Sequence, residues 1–330
     1  MSSVAELGER RIIDLIIENL DKHPRMAVPF GDDVAAVSIS DKLVAVLKMD
    51  MLVAKTDVPR GMSLQQAARK AVIMNVSDLA SKGVKPIAML TALGLTRDLT
   101  KEDMVSIGRG LNAGAREYDT YIIGGDTGEA SDLIITCMVF GLSKPDTMMT
   151  RSGARPGDIL AVTGLFGKTS AGLKLLEEEV KVPERLREAL LEAVYMPRAR
   201  LSEGLALAGS GVVSASIDSS DGLAVSLHEL RKMSKVGFRI TDAPIASEAE
   251  EFAKHRRLDA YDLALYGGEE YELIVTVRRG CWRRAQQAVG RAGGSLIRIG
   301  EVIAEEKVVL QRDGREEVIP YKGWEHFKTT

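Results

Sequence analysis

Seven aspartates are the residues of this chain best suited to chemistry. They lie in short turns flanked by Gly or Ser, or at polar breaks in apolar runs, at Asp32, Asp33, Asp50, Asp78, Asp126, Asp218 and Asp221. Burying an ionised carboxylate is costly unless a cation or a donor compensates it, and carboxylate oxygens are preferred ligands of hard cations. The aspartates therefore predict a site for Mg²⁺ and phosphate.

Two of these aspartates interrupt regular elements. Asp50 breaks the apolar, strand-like run 43–53. Asp78 follows Asn75 in the apolar line of a helical segment over 63–82. A polar pair in a buried stripe either satisfies a neighbouring backbone or points into a site. We favour the site for Asp78, because Asp50 also stands where a carboxylate is otherwise hard to explain.

Three further motifs place carboxylates beside glycine or serine. They are Gly31-Asp32-Asp33, Gly124-Gly125-Asp126-Thr127 and the segment 218–222. Glycine lets a backbone approach a ligand closely and exposes amide donors. A tight turn alone would explain either of the first two motifs, and a helix N-cap from Ser220 or Asp221 would explain the third. Their occurrence together makes coincidence the weaker interpretation.

Other familiar catalytic motifs are absent from the sequence. Gly167-Lys168-Thr169 resembles the end of a phosphate-binding P-loop, but the glycine required five residues before Gly167 is replaced by Val162. The four histidines are dispersed, and there is no HExxH or GxSxG motif. Cys137 and Cys281 form neither a metal-binding spacing nor a disulfide framework. Nucleophilic triads and zinc hydrolysis are therefore disfavoured.

Composition limits the possible partners. The 330 residues suffice for two domains of ordinary size. The 47 acidic and 44 basic residues leave a net charge of −3, and the basic residues form no stripe, so we expect no nucleic-acid partner. No run approaches the roughly 20 apolar residues that span a bilayer, and the first residues lack the apolar core of a signal peptide. We expect a soluble, cytoplasmic protein with no membrane partner.

Extended and helical patterns alternate along the chain, which predicts an α/β or α+β fold. Ser63 with Gln66, and Thr100 with Asp103, have the spacing of capping boxes that begin helices. The segment 144–158 is rich in turn residues and is followed by a new strand, so we expect a domain boundary near residue 150. The predicted strands are 43–49, 87–95, 120–123, 133–141, 159–163, 212–217, 271–277 and 295–299.

Eight motifs, covering essentially the whole chain, carry a family resemblance. They are 31–33, 50–53, Asn75-Val76-Ser77-Asp78-Leu79-Ala80, 124–127, Arg151-Ser152-Gly153-Ala154-Arg155-Pro156-Gly157-Asp158, 218–222, Gly267-Gly268-Glu269-Glu270-Tyr271-Glu272-Leu273 and Gly323-Trp324-Glu325-His326-Phe327. In this order they resemble the thiamine-monophosphate kinase family, whose superfamily includes aminoimidazole ribonucleotide synthetase and selenophosphate synthetase. The ordered set is specific, whereas any single motif is weak.

The resemblance implies an activity and an architecture. The activity is transfer of the γ-phosphoryl group of ATP to thiamine monophosphate, assisted by several Mg²⁺ ions and giving thiamine diphosphate and ADP. The fold is the two-domain aminoimidazole ribonucleotide synthetase-like fold. Residues 1–150 would bind ATP and Mg²⁺ and form a homodimer through their sheet, and residues 151–330 would cover and complete the site.

The resemblance also assigns roles to residues. It implies metal ligands at Asp33, Asp50, Asp78, Asp126, Asp218 and Asp221. It implies nucleotide contacts at Gly125, Asp126, Arg151 and Ser220, with Tyr118 as a further candidate. It implies substrate contacts at Glu269 and Trp324, and we assign direct roles in catalysis to Asp78, Asp126 and Arg151.

Two departures from the family pattern leave alternatives open. Lys48 and Met49 stand where the family often has hydroxyl residues that assist metal binding, so backbone carbonyls or water would substitute. Asp57 stands in place of a substrate-facing His, and we expect it to face the thiamine cation or a metal. If Lys48, Met49 and Asp57 instead mark lost contacts, the protein binds Mg-nucleotide or thiamine without catalysis. Another ATP-using synthetase of the same superfamily is the remaining alternative.

Overall fold

The chain folds around two β-sheets. The computed structural model describes residues 3–178 and 180–327. The first sheet has the order β1-β2-β5-β3-β4, and only its β3–β4 pair is parallel. Its strands are β1 (Ala35–Ser40), β2 (Leu43–Val53), β3 (Pro86–Leu95), β4 (Ile122–Glu129) and β5 (Ile134–Ser143).

The second sheet is built from the later part of the chain, in the order β12-β11-β8-β10-β6-β9-β7. Its β8–β11 pair is parallel and the other pairs are antiparallel. Its strands are β6 (Ile159–Val162), β7 (Val213–Asp218), β8 (Gly237–Ile240), β9 (Leu273–Val277), β10 (Ile297–Ile303), β11 (Val308–Arg312) and β12 (Arg315–Val318).

Helices pack on and between the two sheets. Within residues 3–178 and 180–327, none of them is both long and apolar enough to cross a membrane. They are α1 (Val4–Ile17), α2 (Ala54–Asp57), α3 (Leu64–Lys82), α4 (Lys101–Glu117), α5 (Lys168–Glu178), α6 (Glu184–Tyr195), α7 (Leu201–Ser210), α8 (Leu223–Ser234), α9 (Ser247–Arg256), α10 (Ala260–Tyr266) and α11 (Trp282–Arg291).

Helix α3 lies at the centre of the molecule. It begins with the predicted capping box of Ser63 and Gln66 and ends at Gly83, whose φ of 65° is the left-handed conformation that glycine adopts readily. It contacts β2 and β5 of the first sheet and β7 of the second. Fifteen of its 19 residues are buried, because it is covered on nearly every side. Side chains of α3 can therefore contact residues of both sheets.

Small residues let α4 lie close against α3. A Cβ added to Gly110 of α4 would come within 2.1 Å of the Gln65 carbonyl oxygen, and one added to Gly114 within 2.9 Å of Val72 Cβ. Larger side chains at these two positions would separate the helices, so close packing depends on the glycines. The predicted capping box of Thr100 and Asp103 begins α4, as the sequence indicated.

The α/β class predicted from the sequence is confirmed, and all eight predicted strands are present with shifted ends. Strands β1, β8, β11 and β12 were not predicted. Strands β8 and β12 have only four residues each, too few for an alternating pattern to stand out.

One face of the first sheet is exposed and apolar. Met49 of β2 is paired with Met138 of β5, which is paired with Leu90 of β3, so the three side chains share a face. Met49 and Leu90 are 65% and 39% exposed, and Met51 in the next row is 55% exposed. The opposite face packs against α3, so only strand residues on that opposite face can reach the core.

Candidate active site

Three of the predicted metal ligands meet between the two sheets. Asp33 lies in the turn before β1, Asp78 near the end of α3, and Asp218 at the last position of β7. All three are buried, and one carboxylate oxygen from each lies within 4.8 Å of the other two. We call these three residues the acidic cluster.

Asp33 is the member of the acidic cluster most strongly held by cations. Its carboxylate accepts hydrogen bonds from Arg151 Nε at 2.7 Å and Ser81 Oγ at 2.6 Å, and pairs with Lys82 Nζ at 2.7 Å. Burial opposes the charged form, but the charges of Arg151 and Lys82 outweigh it and hold the pKa of Asp33 well below its usual range. Asp33 is therefore ionised at neutral pH.

Asp218 and Asp78 have the opposite tendency. Burial first, and then the negative charge of Asp33, raise the pKa of Asp218 to about 7, although Ser77 Oγ donates to its carboxylate at 2.7 Å. Burial also raises the pKa of Asp78, with Lys48 opposing and Asp218 adding to the rise. Carboxylates that crowd one another and lack enough donors are ready to exchange protons for a metal ion.

Lys48 and Asp50 extend the acidic cluster along β2. They are two residues apart on one strand and so share the face that packs on α3. Lys48 Nζ lies 3.1 Å from Asp50 Oδ1 and 3.2 Å from Asp78 Oδ2. The Asp50 amide donates to Asn75 Oδ1 at 3.0 Å. Asn75 thus satisfies a neighbouring backbone, whereas Asp78 points into the site, so each of the two interpretations of this polar pair is right for one residue.

A cavity of about 360 Å³ opens beside the acidic cluster. Arg151, Asp218, Ser220, Asp221 and Trp324 line it, together with residues of α1. The Trp324 amide donates to the Asp221 carbonyl at 3.1 Å, which fastens the end of the chain to this motif. Burial, and then the charge of Glu9 on α1, raise the pKa of Asp221 to about 6. Predicted nucleotide, metal and substrate residues are therefore brought together here.

The N-cap interpretation of Ser220 and Asp221 is wrong. Helix α8 begins after Gly222, which has no side chain with which to cap it. The backbone of the segment instead pairs with the next motif, since the Glu269 amide donates to the Ser220 carbonyl at 2.6 Å. The carboxylate of Asp221 is thus left on the wall of the cavity.

Lys70 joins two of the predicted substrate residues. Its ammonium, on a side chain that is only 1% exposed, pairs with Glu269 and donates to the Asp57 carbonyl at 2.8 Å. The carboxylate of Asp57 accepts from the Val53 amide at 2.7 Å. Asp57 therefore holds the turn after β2 with its side chain.

Glu269 and Trp324 lie on different cavities. Glu269 lines a second cavity of about 810 Å³, together with Glu270, Glu272 and Arg200. Trp324 lines the smaller cavity next to Arg151. The structure brings each residue to a polar recess but does not bring the two to one recess, and their shared role toward a substrate stays a prediction.

None of Asp126, Gly125 and Tyr118 belongs to the acidic cluster or lines the cavity beside it. Asp126 of β4 pairs with Ala92 of β3, which pairs with Thr136 of β5, and Thr136 pairs with Met51 of β2. Asp126 therefore lies on the same exposed face of the first sheet as Met51, and on the opposite face from Asp50. Gly125 precedes it on the same edge strand. Tyr118 follows α4, and its hydroxyl accepts from the Ala199 amide at 2.8 Å. The roles of these three residues stay predictions.

The sequence interpretation missed the buried cations. Lys70 and Lys82 are among the largest fully buried side chains in the structure, and Lys82 Nζ also donates to the Ser216 carbonyl at 3.0 Å. The available signal was the spacing of Lys48, two residues before Asp50 on a strand, which puts both side chains on one face. Lys82 gave no such signal, because it pairs with Asp32 and Asp33, which are distant in sequence.

The acidic cluster fits a hard divalent cation. It offers three carboxylate oxygens from three separate elements, and neither a thiol nor an imidazole belongs to it. Mg²⁺ is usually held by one or two carboxylates, with water and substrate phosphates completing its octahedron. The donor set is therefore chemically suited to Mg²⁺ with room for phosphate ligands.

Comparisons with known proteins show which families and folds the chain resembles. Residues 31–143 match the family model of the AIR synthase related protein, N-terminal domain, and residues 155–313 match that of the C-terminal domain. The thiamine-monophosphate kinase of Pyrococcus horikoshii is 34% identical over 98% of this chain and 98% of its own length. That of Escherichia coli K12 is 33% identical over 91% of each chain. The structure of AaThiL complexed with AMPPCP and TMP superposes with a TM-score of 0.86, at 29% identity over 99% of both chains.

Full-length similarity of this kind, together with the ordered motifs, decides the family. The chain belongs to the thiamine-monophosphate kinase family.

Proposed function

We propose that this protein transfers the γ-phosphoryl group of ATP directly to thiamine monophosphate, giving thiamine diphosphate and ADP, and that it does so in the cytoplasm. The observation that carries the proposal is the convergence of Asp33, Asp78 and Asp218 beside Arg151, next to a cavity that Arg151 and Asp218 line. The membership of the chain in the family, and the ATP analogue and TMP held by the related AaThiL, support it.

The reaction requires little proton chemistry. A phosphate monoester has a second pKa of about 6, so the attacking group is already mostly a dianion at neutral pH. A strong general base is unnecessary, which agrees with the dispersed histidines. The reaction does require relief of repulsion between two polyanions and alignment of the attacking oxygen, the phosphorus and the leaving oxygen.

Arg151 is the side chain best placed to receive phosphate oxygens. Its guanidinium is held on one side by Asp33 Oδ1 and by the Gly31 carbonyl, whose oxygen lies 2.9 Å from Nη1. Arg151 also lines the cavity that contains Ser220. A guanidinium fixed in this way needs little rearrangement to bind an anion, and its planar donors match phosphate geometry. Arg151 would therefore bind and orient the nucleotide phosphates, with the Ser220 hydroxyl as a further donor.

The aspartates would hold the metal. Asp33, Asp78 and Asp218 are its nearest ligands, and Asp50, Asp126 and Asp221 are the further ligands that we propose. Bound Mg²⁺ would supply the positive charge that offsets the repulsion between nucleotide and acceptor phosphate. The burial of Asp33, Asp78 and Asp218 excludes water and so strengthens each charged contact that these three carboxylates make.

The thiamine part of the substrate is assigned to Glu269, Trp324 and Asp57. Glu269 offers a carboxylate to a cationic ring, and its conformation is fixed by Lys70. Trp324 offers a half-exposed indole for stacking. Asp57 would act through the turn that it holds after β2.

We also propose that the chain divides into two domains near residue 150 and forms a homodimer through the exposed face of its first sheet. Exposed apolar patches on a soluble protein commonly mark association sites, and Met49, Met51 and Leu90 form such a patch. Asp126, on the same face, would then lie at the subunit interface. Size-exclusion chromatography with light scattering of the wild type and of Met51→Glu tests this proposal. The wild type is expected to be a dimer and Met51→Glu a monomer. A monomeric wild-type protein would contradict the proposal.

Phosphorus NMR of the purified protein with Mg-ATP, with and without thiamine monophosphate, tests the proposed reaction. Equal amounts of thiamine diphosphate and ADP are expected. ADP with free orthophosphate and no diphosphate ester would indicate a synthetase acting on another substrate. Nucleotide binding without any turnover would indicate the non-catalytic alternative, in which Lys48, Met49 and Asp57 mark lost contacts.

A further inference from the structure

Lys48 occupies an unusual position for a lysine. Its side chain is only 22% exposed, and its ammonium lies beside the acidic cluster, 3.1 Å from Asp50 Oδ1 and 3.2 Å from Asp78 Oδ2. Lysine is rarely buried unless it is paired, because its ammonium is strongly hydrated. Here the pairing is twofold, and the strand that carries Lys48 leaves its backbone no freedom to move away.

The surroundings of Lys48 are those expected for a metal ion. Carboxylate oxygens of two aspartates face its ammonium, and one of these aspartates, Asp78, groups with the buried carboxylates of Asp33 and Asp218. An ammonium offers only donors, and these donors point at oxygens that would otherwise bind a hard cation. The site thus contains one positive charge that belongs to the chain itself.

Lys48 offsets part of the negative charge of the aspartates around it. Asp33 is already matched by Arg151 and Lys82. Asp50, Asp78 and Asp218 carry three negative charges when ionised, and Lys48 offsets one of them. Two negative charges then remain on these three carboxylates, besides that of Asp221 on the cavity wall, for divalent ions to neutralise.

We propose that the ammonium of Lys48 is a built-in cation that takes the place of one divalent ion between Asp50 and Asp78. The inference deepens the proposed function, on which it rests for the role of the metal. It means that this protein binds one divalent ion fewer than its acidic residues alone would hold. It also means that the charge between Asp50 and Asp78 persists when the concentration of free Mg²⁺ falls.

Counting bound Mn²⁺ tests the proposal. The purified full chain is titrated with Mn²⁺ in the absence of ATP and thiamine monophosphate, and free Mn²⁺ is read by electron paramagnetic resonance. Lys48→Thr is expected to bind one more Mn²⁺ per chain than the wild type, or to bind it roughly tenfold or more tightly, because removing a charge so close to the carboxylates strengthens their hold on a cation. Since no substrate is present, a protein without kinase activity still gives a decisive count, and the phosphorus NMR assay reports on the reaction separately.

Two control variants separate charge from side-chain removal. Lys48→Arg keeps the positive charge and is expected to keep the wild-type count. Lys85→Thr removes a lysine whose exposed ammonium pairs with Asp119 away from the site, and it should also leave the count unchanged.

Three outcomes would overturn the proposal. An unchanged count and affinity in Lys48→Thr would mean that the ammonium excludes no ion. A lower count would mean that Lys48 positions the ligands. If Lys48→Thr is unfolded in metal-free buffer, circular dichroism decides: refolding on addition of Mg²⁺ supports the proposal, and failure to refold contradicts it.

Discussion

Replacing Lys82 with Met tests how the site is held together. Lys82 is fully buried at the end of α3, and its ammonium lies 2.6 Å from Asp32 Oδ1 and 2.7 Å from Asp33 Oδ2. It also donates to the Ser216 carbonyl on β7, so one ammonium joins three separate parts of the chain. Methionine keeps the apolar stem of lysine but leaves these oxygens without their cation.

The expected loss of stability follows from the contacts that remain. Removing one partner of a buried ion pair typically costs about 3–5 kcal/mol. Asp33 keeps Arg151 and Ser81, and Asp32 keeps the backbone amides of Asp33 and Arg151. We therefore expect the lower end of that range, about 3 kcal/mol, which is a large share of the roughly 5–15 kcal/mol that stabilises an ordinary protein.

Urea denaturation followed by circular dichroism in metal-free buffer measures this loss. Chelation is needed because a divalent ion could replace the missing charge. Lys85→Met, which removes a lysine from an exposed pair, serves as the control and should leave the midpoint unchanged. The double variant Lys82→Met with Asp32→Asn should recover part of the loss, because it removes a carboxylate that has lost its cation. A free energy of unfolding for Lys82→Met within about 1 kcal/mol of the wild type would refute the reasoning.

Three further outcomes follow from the structure. Asp126→Asn should reduce turnover by about tenfold or more without unfolding the protein, since the residue is exposed, whereas full activity at saturating Mg²⁺ would remove Asp126 from the metal site. Burial raises the pKa of Glu270 to about 7, so the native chain holds a proton there between about pH 4.5 and 7 and its stability falls as the pH rises through that window. Glu270→Gln lacks this proton, so from about pH 5 to about pH 8 its urea midpoint should fall less than that of the wild type. Equal changes of midpoint in the two proteins would contradict the argument. Burial also raises the pKa of Cys137 to about 12. A thiol reagent should therefore modify the partly exposed Cys281 in the native protein, and Cys137 only after unfolding. Rapid labelling of both cysteines in the native protein would contradict this order.

Local sequence signals were sufficient for the elements that carry the acidic cluster. The capping box of Ser63 and the glycine after Lys82 mark the two ends of α3. Asp50 and Asp78 stood out because each interrupts an apolar pattern whose period is known. A carboxylate that breaks such a pattern is visible without any knowledge of its partners, which is why these residues could be assigned to a site from the sequence.

Residues that depend on long-range contacts could not be assigned in this way. Lys48 becomes part of the site only when α3 packs on β2, and Lys82 only when β7 and the turn before β1 reach the end of α3. The motif around Asp126 indicated a turn after a strand ending at residue 123, whereas Asp126 lies within β4, and the sequence did not give the face of the sheet on which its side chain lies. The face depends on the register of β3, β4 and β5, which is decided by the whole sheet. Asp57 likewise seemed free for a ligand until its bond to the Val53 amide was seen.

The central place of α3 has a consequence for how the chain can be divided. Val76 and Leu79 of α3 belong to the same apolar core as Leu273 and Val275 of β9, far along the chain. Two sequence domains therefore share one folding unit, and neither would keep a complete interior if expressed alone. A protease that cuts within residues 144–158 should produce two fragments that stay associated and melt together in one transition. For the same reason, a chimera in which one half of the chain comes from a relative will fold only if the new half packs against α3 as the original half does.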